Sequence, residues 1–417
     1  MAHMLSSAAA PEQTAAARPP AKVCMHVLGV GRTDMRVMRE ATALRQAGFD
    51  VVLVDLELDR QRPREEWLAG IQLRHLQMPD WLMPTRFKPW FLVKLLRAFV
   101  LGTLAVLRTS ADIYHAHDDI ALPACYLAAR LRGKSLVFDA HELPLVQSHL
   151  TRWRRLCGLS RLALRKMMAR CSGVITVSPP IVTELQRRYG GPLACLVRNV
   201  PVYQAPVADD RLRRQLGLSP QTRVALYQGY FSRARDLDRL IQAAKFLDPD
   251  IAIVLLGRGA TEAELAALIL QEGVGDRVKL FPWVPYEELL ALTASADLGL
   301  VLFSGKDSLS VKLCLPNKLF EYLMAGLPVL ATPLDAVVDV LETYDVGAVV
   351  RSLEPVEIGR ALNALLADPA ALARMQRNAL AAAREHLCWE QERQQLIAFY
   401  IRLLGLAGAV DSALQPA

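Results

Sequence analysis

Apolar positions follow two rhythms along this chain. Short, nearly continuous apolar runs at residues 23–30, 51–54, 112–115, 135–139 and 173–177 alternate with stretches of helical spacing, such as Met35, Val37, Met38, Ala41 and Leu44, or residues 121–131. Strands that are apolar along their whole length are buried on both faces, and the intervening helices supply the cover. The pattern therefore predicts β-α-β units and a parallel sheet. Composition shifts around Pro201, Pro206, Asp209, Asp210 and Pro220, after which the alternation begins again. Strands are expected at 224–228, 251–256, 278–281, 298–303 and 328–331, with helices near 236–247, 261–272, 286–295 and 317–325. Residues 356–404 read as a long helical region whose amphipathic end, from Glu390 to Leu404, would pack back on the first domain. The expected organisation is a tail at 1–21, an α/β domain at 22–203, a linker at 204–220, a second α/β domain at 221–389, and a returning helix and tail at 390–417. A cleft between the two domains follows, and there is no internal sequence repeat.

Composition adds limits to this picture. With 417 residues, 53% hydrophobic and 22% charged, the chain can bury a large core, which excludes disordered, collagenous and disulfide-stapled classes. The seven cysteines (Cys24, Cys125, Cys157, Cys171, Cys195, Cys314, Cys388) form no C-x-x-C pair, and the Ala- and Pro-rich first 22 residues hold no apolar signal core. Reduced thiols, a disordered N-terminal tail and a cytoplasmic location are expected. Residues 90–107 come nearest to transmembrane length, but Lys94 and Arg97 interrupt them. A core or docking helix is the expectation, with membrane contact through Arg86, Phe87, Lys88 and Trp90 as its alternative.

The charge of +7 is unevenly spread: residues 1–200 hold 28 Lys+Arg against 16 Asp+Glu, and residues 201–417 hold 21 against 26. The basic half should attract an anionic partner. Its densest run, Arg152, Arg154, Arg155, Arg161, Arg165, Lys166 and Arg170, alternates with Leu156, Leu159, Leu162, Leu164, Met167 and Met168. A solvated helix face is one reading of it; an anionic membrane surface or anionic acceptor is the other.

Ligands in parallel sheets sit beyond the carboxyl ends of the strands, where helix N-termini favour anions. At the first such end, Gly29 and Gly31 would let the backbone approach a ligand, but Asp34 stands where a dinucleotide fingerprint needs its third glycine, which disfavours hydride chemistry. His115, His117, Asp118 and Asp119 end one strand, and Asp139, His141 and Glu142 end another. With no third or fourth metal ligand evident, they read as a polar cleft wall rather than a metal site. In the second domain, Arg233 or Arg235, with Arg235 preferred, could grip a diphosphate through paired donors after Gly229. Asp236-Leu237-Asp238 matches an Asp-x-Asp metal signature but opens a helix, where carboxylates favour the dipole. The segment 315–332 supplies a Pro-Asn loop, a short helix bearing Glu321, a terminating Gly326 and a buried strand. A carboxylate so placed could accept two hydroxyls of a ribose.

These motifs together resemble the GT-B glycosyltransferases of family 4. The resemblance runs over residues 22–400. It is carried by Asp34-x-Arg36 with Arg39-Glu40-Ala41, Asp112-Ile113-Tyr114-His115-Ala116-His117-Asp118, Asp139-Ala140-His141-Glu142, Val177-Ser178, Arg198-Asn199, Tyr227-Gln228-Gly229 and the block from Asn317 to Thr332. It implies two facing Rossmann-like domains with a central cleft, a nucleoside diphosphate sugar as donor, no cofactor and no metal, and transfer with retention to an acceptor hydroxyl. Arg235 would bind the diphosphate and Glu321 the ribose, while His141 would contact the transferred sugar or acceptor. Gly29, Gly31, Gly229, Arg233, Asn317, Lys318 and Leu319 would surround the donor, and Asp34, Arg36, His117, Asp118 and Glu142 would form the acceptor side. The acceptor would be a saccharide, glycolipid or small molecule, with peripheral contact to an anionic membrane and no nucleic acid, in bacterial cell-surface polysaccharide or glycolipid synthesis. Two positions depart from the family: Leu313 stands where its first motif Glu is expected, and Tyr230 where an Arg precedes the basic residue. A sugar-nucleotide epimerase of the same architecture, or a silent nucleotide-sugar-binding partner, are the alternative readings.

Overall fold

The computed structural model describes residues 20–59, 61–77, 88–145, 154–207, 209–306 and 308–405. Expectations placed on residues 1–19, Arg86, Phe87, Arg152 and 406–417 lie outside these residues, as do those on the side chains of Lys88, Trp90, Arg154, Arg155, Leu156, Cys157 and Leu159.

Two sheets organise the chain. The first contains β1 (Lys22–His26), β2 (Asp50–Glu57), β3 (Glu65–Leu68), β4 (Ile71–Gln77), β5 (Ile113–His117), β6 (Ser135–Ala140), β7 (Gly173–Thr176) and β8 (Ala194–Leu196). Their spatial order is β3-β4-β2-β1-β5-β6-β7-β8, with β3 antiparallel to β4 and the other pairs parallel. Met25 lies opposite Leu53 on one side and His115 on the other, so β1 is central. The second sheet, wholly parallel, runs β11 (Val278–Pro282), β10 (Ile251–Gly259), β9 (Arg223–Phe231), β12 (Leu298–Val301), β13 (Val329–Ala331) and β14 (Gly347–Val349).

Alternate residues of each strand point to opposite faces, and both faces are covered. On one side of the first sheet, Cys24, Tyr114 and Phe138 pack with Leu122 and Cys125 of the helix Asp118–Arg132. On the other, Val23, Met25 and Val137 pack with Val37 and Leu44 of the helix Met35–Gln46, and with Leu396 and Tyr400 of the last helix, Trp389–Leu403. Each buried leucine of this kind stabilises the fold by about 1.5–3 kcal/mol relative to exposure. The second sheet is sandwiched in the same way, Leu226 and Val254 facing one cluster and Ala225 and Ile253 the other.

The structure differs from the sequence expectation in several elements. Strands β3, β4, β8 and β14 were not expected, and β1 ends at His26, with a 3-10 turn at Gly31–Thr33 following. The stretch 204–220 carries a helix, Arg211–Leu216, whose Leu212 is wholly buried in the second core beside Val200 and Val224. The long helical region divides into Pro355–Leu366, Pro369–Glu385 and Trp389–Leu403. The first break comes at Asp368-Pro369, where Asp368 accepts the Ala371 N–H as a cap. Among the described residues, no helix is long and apolar enough to cross a membrane.

Candidate active site

The carboxyl ends of strands from both sheets converge on one cavity of about 690 Å³. Asp34, Arg36, His141 and Glu142 line it from the first lobe, and Gly229, Arg235, Lys318 and Glu321 from the second. The lobes also touch beside it: Ser178 Oγ donates to the Leu313 carbonyl at 2.6 Å, Leu143 N–H to Ser310 Oγ at 3.1 Å, and Asn199 Nδ2 to Asn317 Oδ1 at 3.1 Å.

The first-lobe wall is a charge network held by helix and strand ends. Asp34 caps the helix Met35–Gln46 by accepting from the N–H groups of Arg36 and Val37. That cap turns the Arg36 guanidinium inward, where it donates to both Asp139 oxygens at 2.8 and 2.9 Å and to the Val197 carbonyl at 2.8 Å. Burial disfavours the Asp139 charge, yet Arg36 and His141 outweigh it and hold that carboxyl well below its usual range. His141 lies with Nε2 3.0 Å from Asp139 and Nδ1 3.4 Å from Asp118. Burial opposes its charge, but the two carboxylates prevail and raise it to about 9. The two carboxylates thus favour the imidazolium over the neutral ring that a general base would need.

The second-lobe wall carries two basic side chains, Arg235 and Lys318. Gly229, at φ +137°, sits at the end of β9 where an added Cβ would come within 3.2 Å of Lys318 Nζ. Lys318 follows the first residue of the helix Asn317–Met324. Its ammonium lies 3.6 Å from the Tyr227 ring centroid, is buried, and has no hydrogen-bond partner. Burial, with Arg235 adding to it, pushes this lysine well below its usual value. Arg235 makes no ion pair with a described residue and stacks over Phe303 at 5.0 Å. One helical turn on from Lys318, Glu321 accepts from Gln228 Nε2 at 2.5 Å, and burial raises its carboxyl. Two guanidinium or ammonium groups, a glycine and a helix N-terminus on one wall, with a carboxylate beyond them, suit a phosphate-bearing ligand that also carries hydroxyls.

Comparison with known proteins accords with this arrangement. A family model for glycosyl transferases group 1 matches residues 208–382, and one for Glycosyltransferase Family 4 matches residues 34–198. The chain belongs to family 4 of the GT-B glycosyltransferases. A D-inositol 3-phosphate glycosyltransferase of Xylanimonas cellulosilytica is 27% identical over 330 residues, 72% of this chain and 75% of that protein. Sucrose-phosphate synthase from Thermosynechococcus elongatus superposes with a TM-score of 0.76 at 18% identity, over 92% of this chain and 99% of its own. Anabaena Alr3699/HepE, in complex with UDP and glucose, does so with 0.69 at 17% identity, over 92% and 100%. These structures share the fold.

The glycosyltransferase brings together most of the residues singled out in its sequence, but not all of them. Arg233 is 82% exposed, pairs with Glu264 at 2.9 Å, and lies outside the cavity, because the 3-10 turn Arg233–Arg235 points successive side chains apart. Leu319 is wholly buried in the core on the opposite side of its helix from the cavity lining. His117 is buried behind His141, 3.3 Å from Asp139, and does not line the cavity, while Asp118 receives the His141 N–H at 3.2 Å and orients that residue. Gly31 donates its N–H to Asp55 at 3.0 Å, and a Cβ there would meet Leu53 at 2.9 Å. Its smallness thus serves packing against β2. Gly29 lies outside the lining as well, and nothing but Val27 is near the place of its missing Cβ.

Other lining residues had not been singled out as ligand-facing: Gly257, at the end of β10, and Trp283, Val284 and Tyr286, just after β11, with Gln228 and Ser310. For all but Ser310, which lies in the short helix Leu309–Leu313, a position within or just past the last residues of a strand was the available signal. Leu313, at the position of the family's first Glu, packs with Leu309 against the apolar cluster of the first lobe instead of lining the cavity.

A metal-like grouping does exist in the glycosyltransferase, deeper than expected. Ligand atoms of Glu40, His115, His117 and Asp139 lie within 4.8 Å of one another, all buried. Arg36 already occupies the charge centre of this group, 3.0 Å from Glu40 as well as bonded to Asp139. A divalent ion would meet that guanidinium, so the cluster reads as an ion-pair network under the cleft.

Proposed function

We propose that this glycosyltransferase moves a sugar from a nucleoside diphosphate sugar to an acceptor hydroxyl, with retention of anomeric configuration and without a metal, as a cytoplasmic enzyme of bacterial cell-surface polysaccharide or glycolipid synthesis. One observation carries the donor assignment: the buried, unpartnered Lys318 amine lies beside Arg235 and Gly229 on the wall of a large cavity, and an anionic ligand there would restore the charge that burial disfavours. HepE, bound to UDP and glucose in a chain of the same fold, supports a uridine or related nucleotide as first candidate.

In this reading Glu321 accepts the ribose hydroxyls with Gln228 holding its second oxygen, and the diphosphate lies between Lys318, Arg235 and the start of the helix Asn317–Met324. As the sugar–phosphate bond breaks, negative charge grows on the leaving phosphate oxygen, and Arg235, with Lys318 charged once the diphosphate is bound, stabilises it. That oxygen takes the acceptor hydroxyl proton while the hydroxyl attacks on the same face, so no protein nucleophile is required. His141, charged and fixed between Asp139 and Asp118, orients groups at the acceptor end rather than accepting the proton. The two lobes exclude water from the reacting centre.

Incubation of the full chain with a panel of nucleotide sugars and saccharide acceptors, with the product anomer read by NMR, tests this. Turnover is expected with release of nucleoside diphosphate and retained configuration, and Arg235→Ala should lower kcat by about 10²–10³. Conversion of donor alone, without an acceptor, would favour the epimerase, and an inverted product would refute the mechanism.

A further inference from the structure

We propose that Glu142 reads the hydroxyls of the transferred sugar, which makes the donor a neutral hexose conjugate rather than a uronic acid one; this rests on the donor reading above. Three acids among the described residues line the cavity. Asp34 accepts two backbone N–H groups at the start of its helix, and Glu321 accepts from Gln228. Glu142 accepts a hydrogen bond from no described residue and is open to the cavity. The loop that carries it, just past β6, is nonetheless pinned at each step. The His141 N–H donates to Asp118 at 3.2 Å, the Leu143 N–H to Ser310 Oγ at 3.1 Å, and the Leu145 N–H to Asp119 at 3.1 Å, while the Pro144 carbonyl accepts from the Tyr189 hydroxyl at 3.1 Å. A carboxylate left without a donor, on a backbone held this firmly, is placed for a ligand.

Position and charge decide which part of the ligand it meets. Burial raises the Glu142 carboxyl, Asp118 adds to this, and Arg235, from the other lobe, acts in the opposite direction. Burial likewise raises the Cys314 thiol to about 11, where Arg235 lowers the value and Glu142 raises it. Glu142 and Arg235 thus act on the same stretch of the second lobe, beside the residue that follows Leu313. Apart from Glu321, the described second lobe lends the cavity no acid, and Leu313 packs against the first lobe. A phosphate set against Glu142 would be repelled, whereas a neutral ring hung from a diphosphate on Arg235 would bring hydroxyls to it. Each carboxylate oxygen can accept a hydroxyl, and such charge-assisted bonds are the stronger kind. A sugar carboxylate in the same place would meet like charge. The resemblance put Glu142 on the acceptor side. Its neighbour's bond to Ser310 sets it instead where the two lobes join, so reading the sugar requires both lobes together.

Calorimetric titration of the full chain tests the proposal, with UDP against its glucose, galactose, N-acetylglucosamine and glucuronic acid conjugates, and GDP against GDP-mannose. A neutral hexose conjugate should bind more tightly than its bare nucleotide and than the glucuronate. In Glu142→Gln that advantage over the bare nucleotide should fall about tenfold, and Glu142→Asp, which keeps the charge but draws it back, should lose part of it. An advantage unchanged in Glu142→Gln, or a parent chain that prefers the glucuronate, would overturn the proposal. So would a variant altered only in its KM for the acceptor, which would return Glu142 to the acceptor side. Failure of the parent chain to bind either nucleotide in any form would instead refute the donor reading, and this proposal with it.

Discussion

Lys318 is the residue at which stability and function pull in opposite directions. A buried ammonium with only an aromatic face beside it is costly in the empty protein, and burial depresses its charge. Lys318→Met should therefore raise the stability of the ligand-free chain by about 1 kcal/mol or more and weaken nucleoside diphosphate binding at least about tenfold. Thermal melts with and without UDP would show both effects at once, and a variant that melted lower and bound equally well would contradict the assignment. His141 offers a test by pH. Its value of about 9 in the fold exceeds the ordinary 6.5, so its contribution to stability is complete below 6.5 and lost as pH rises through about 9. The melting-temperature gap between the parent and His141→Gln should narrow over that range, whereas a constant gap would show that its carboxylates do not hold the charge. Residue types after strand ends make Arg235 and His141 legible in the sequence, and the Pro-Asn loop with its short helix does so for Glu321. The partnership of Arg36 with Asp139, 103 positions apart, is not, because it is made by folding. For the same reason Arg36, expected to face the acceptor, is found with its donors committed to the protein.

Among the elements, long apolar periods were readable and short or edge pieces were not. Glu65-Glu66-Trp67-Leu68 has neither alternation nor β-branching, and becomes β3 because the adjacent Ile71–Gln77 gives it a partner. β14 is three residues long and is defined by its register on β13. The last helix, by contrast, was visible as an amphipathic end, and its seat depends on a residue with no pattern of its own. A Cβ on Gly173 would lie 2.2 Å from Phe399 Cζ, so the absence of a side chain on β7 is what admits the helix. Gly173→Ala should cost about 1–3 kcal/mol and make the segment from Trp389 onward more sensitive to protease, read by melting and limited digestion. Protease resistance equal to the parent would mean that Phe399 moves aside without releasing the helix. Gly299 plays the same part for the helix Asn317–Met324, since a side chain there would meet the Tyr322 ring at 2.4 Å.

Over the whole molecule, the division into two α/β lobes was legible because each sheet is apolar on both faces. How the lobes meet was not, since it rests on individual contacts. Leu313 is the informative one: standing where the resemblance led one to expect a Glu, it packs across the cleft against the first lobe, beside the Ser178 bond to its own carbonyl. Leu313→Glu should then separate the lobes rather than restore a sugar contact, lowering the melting temperature and enlarging the radius measured by solution scattering. An unchanged radius with increased turnover would reverse that interpretation. The account as a whole depends on a diphosphate lying between Arg235, Lys318 and Glu321. Calorimetric titration of UDP and other nucleoside diphosphates into the intact chain, and into Arg235→Ala and Glu321→Ala, tests it most directly. One site is predicted, with affinity for the preferred nucleotide reduced at least about tenfold in each variant. Binding of equal strength in both variants, or of none of the nucleotides to the parent chain, would contradict it.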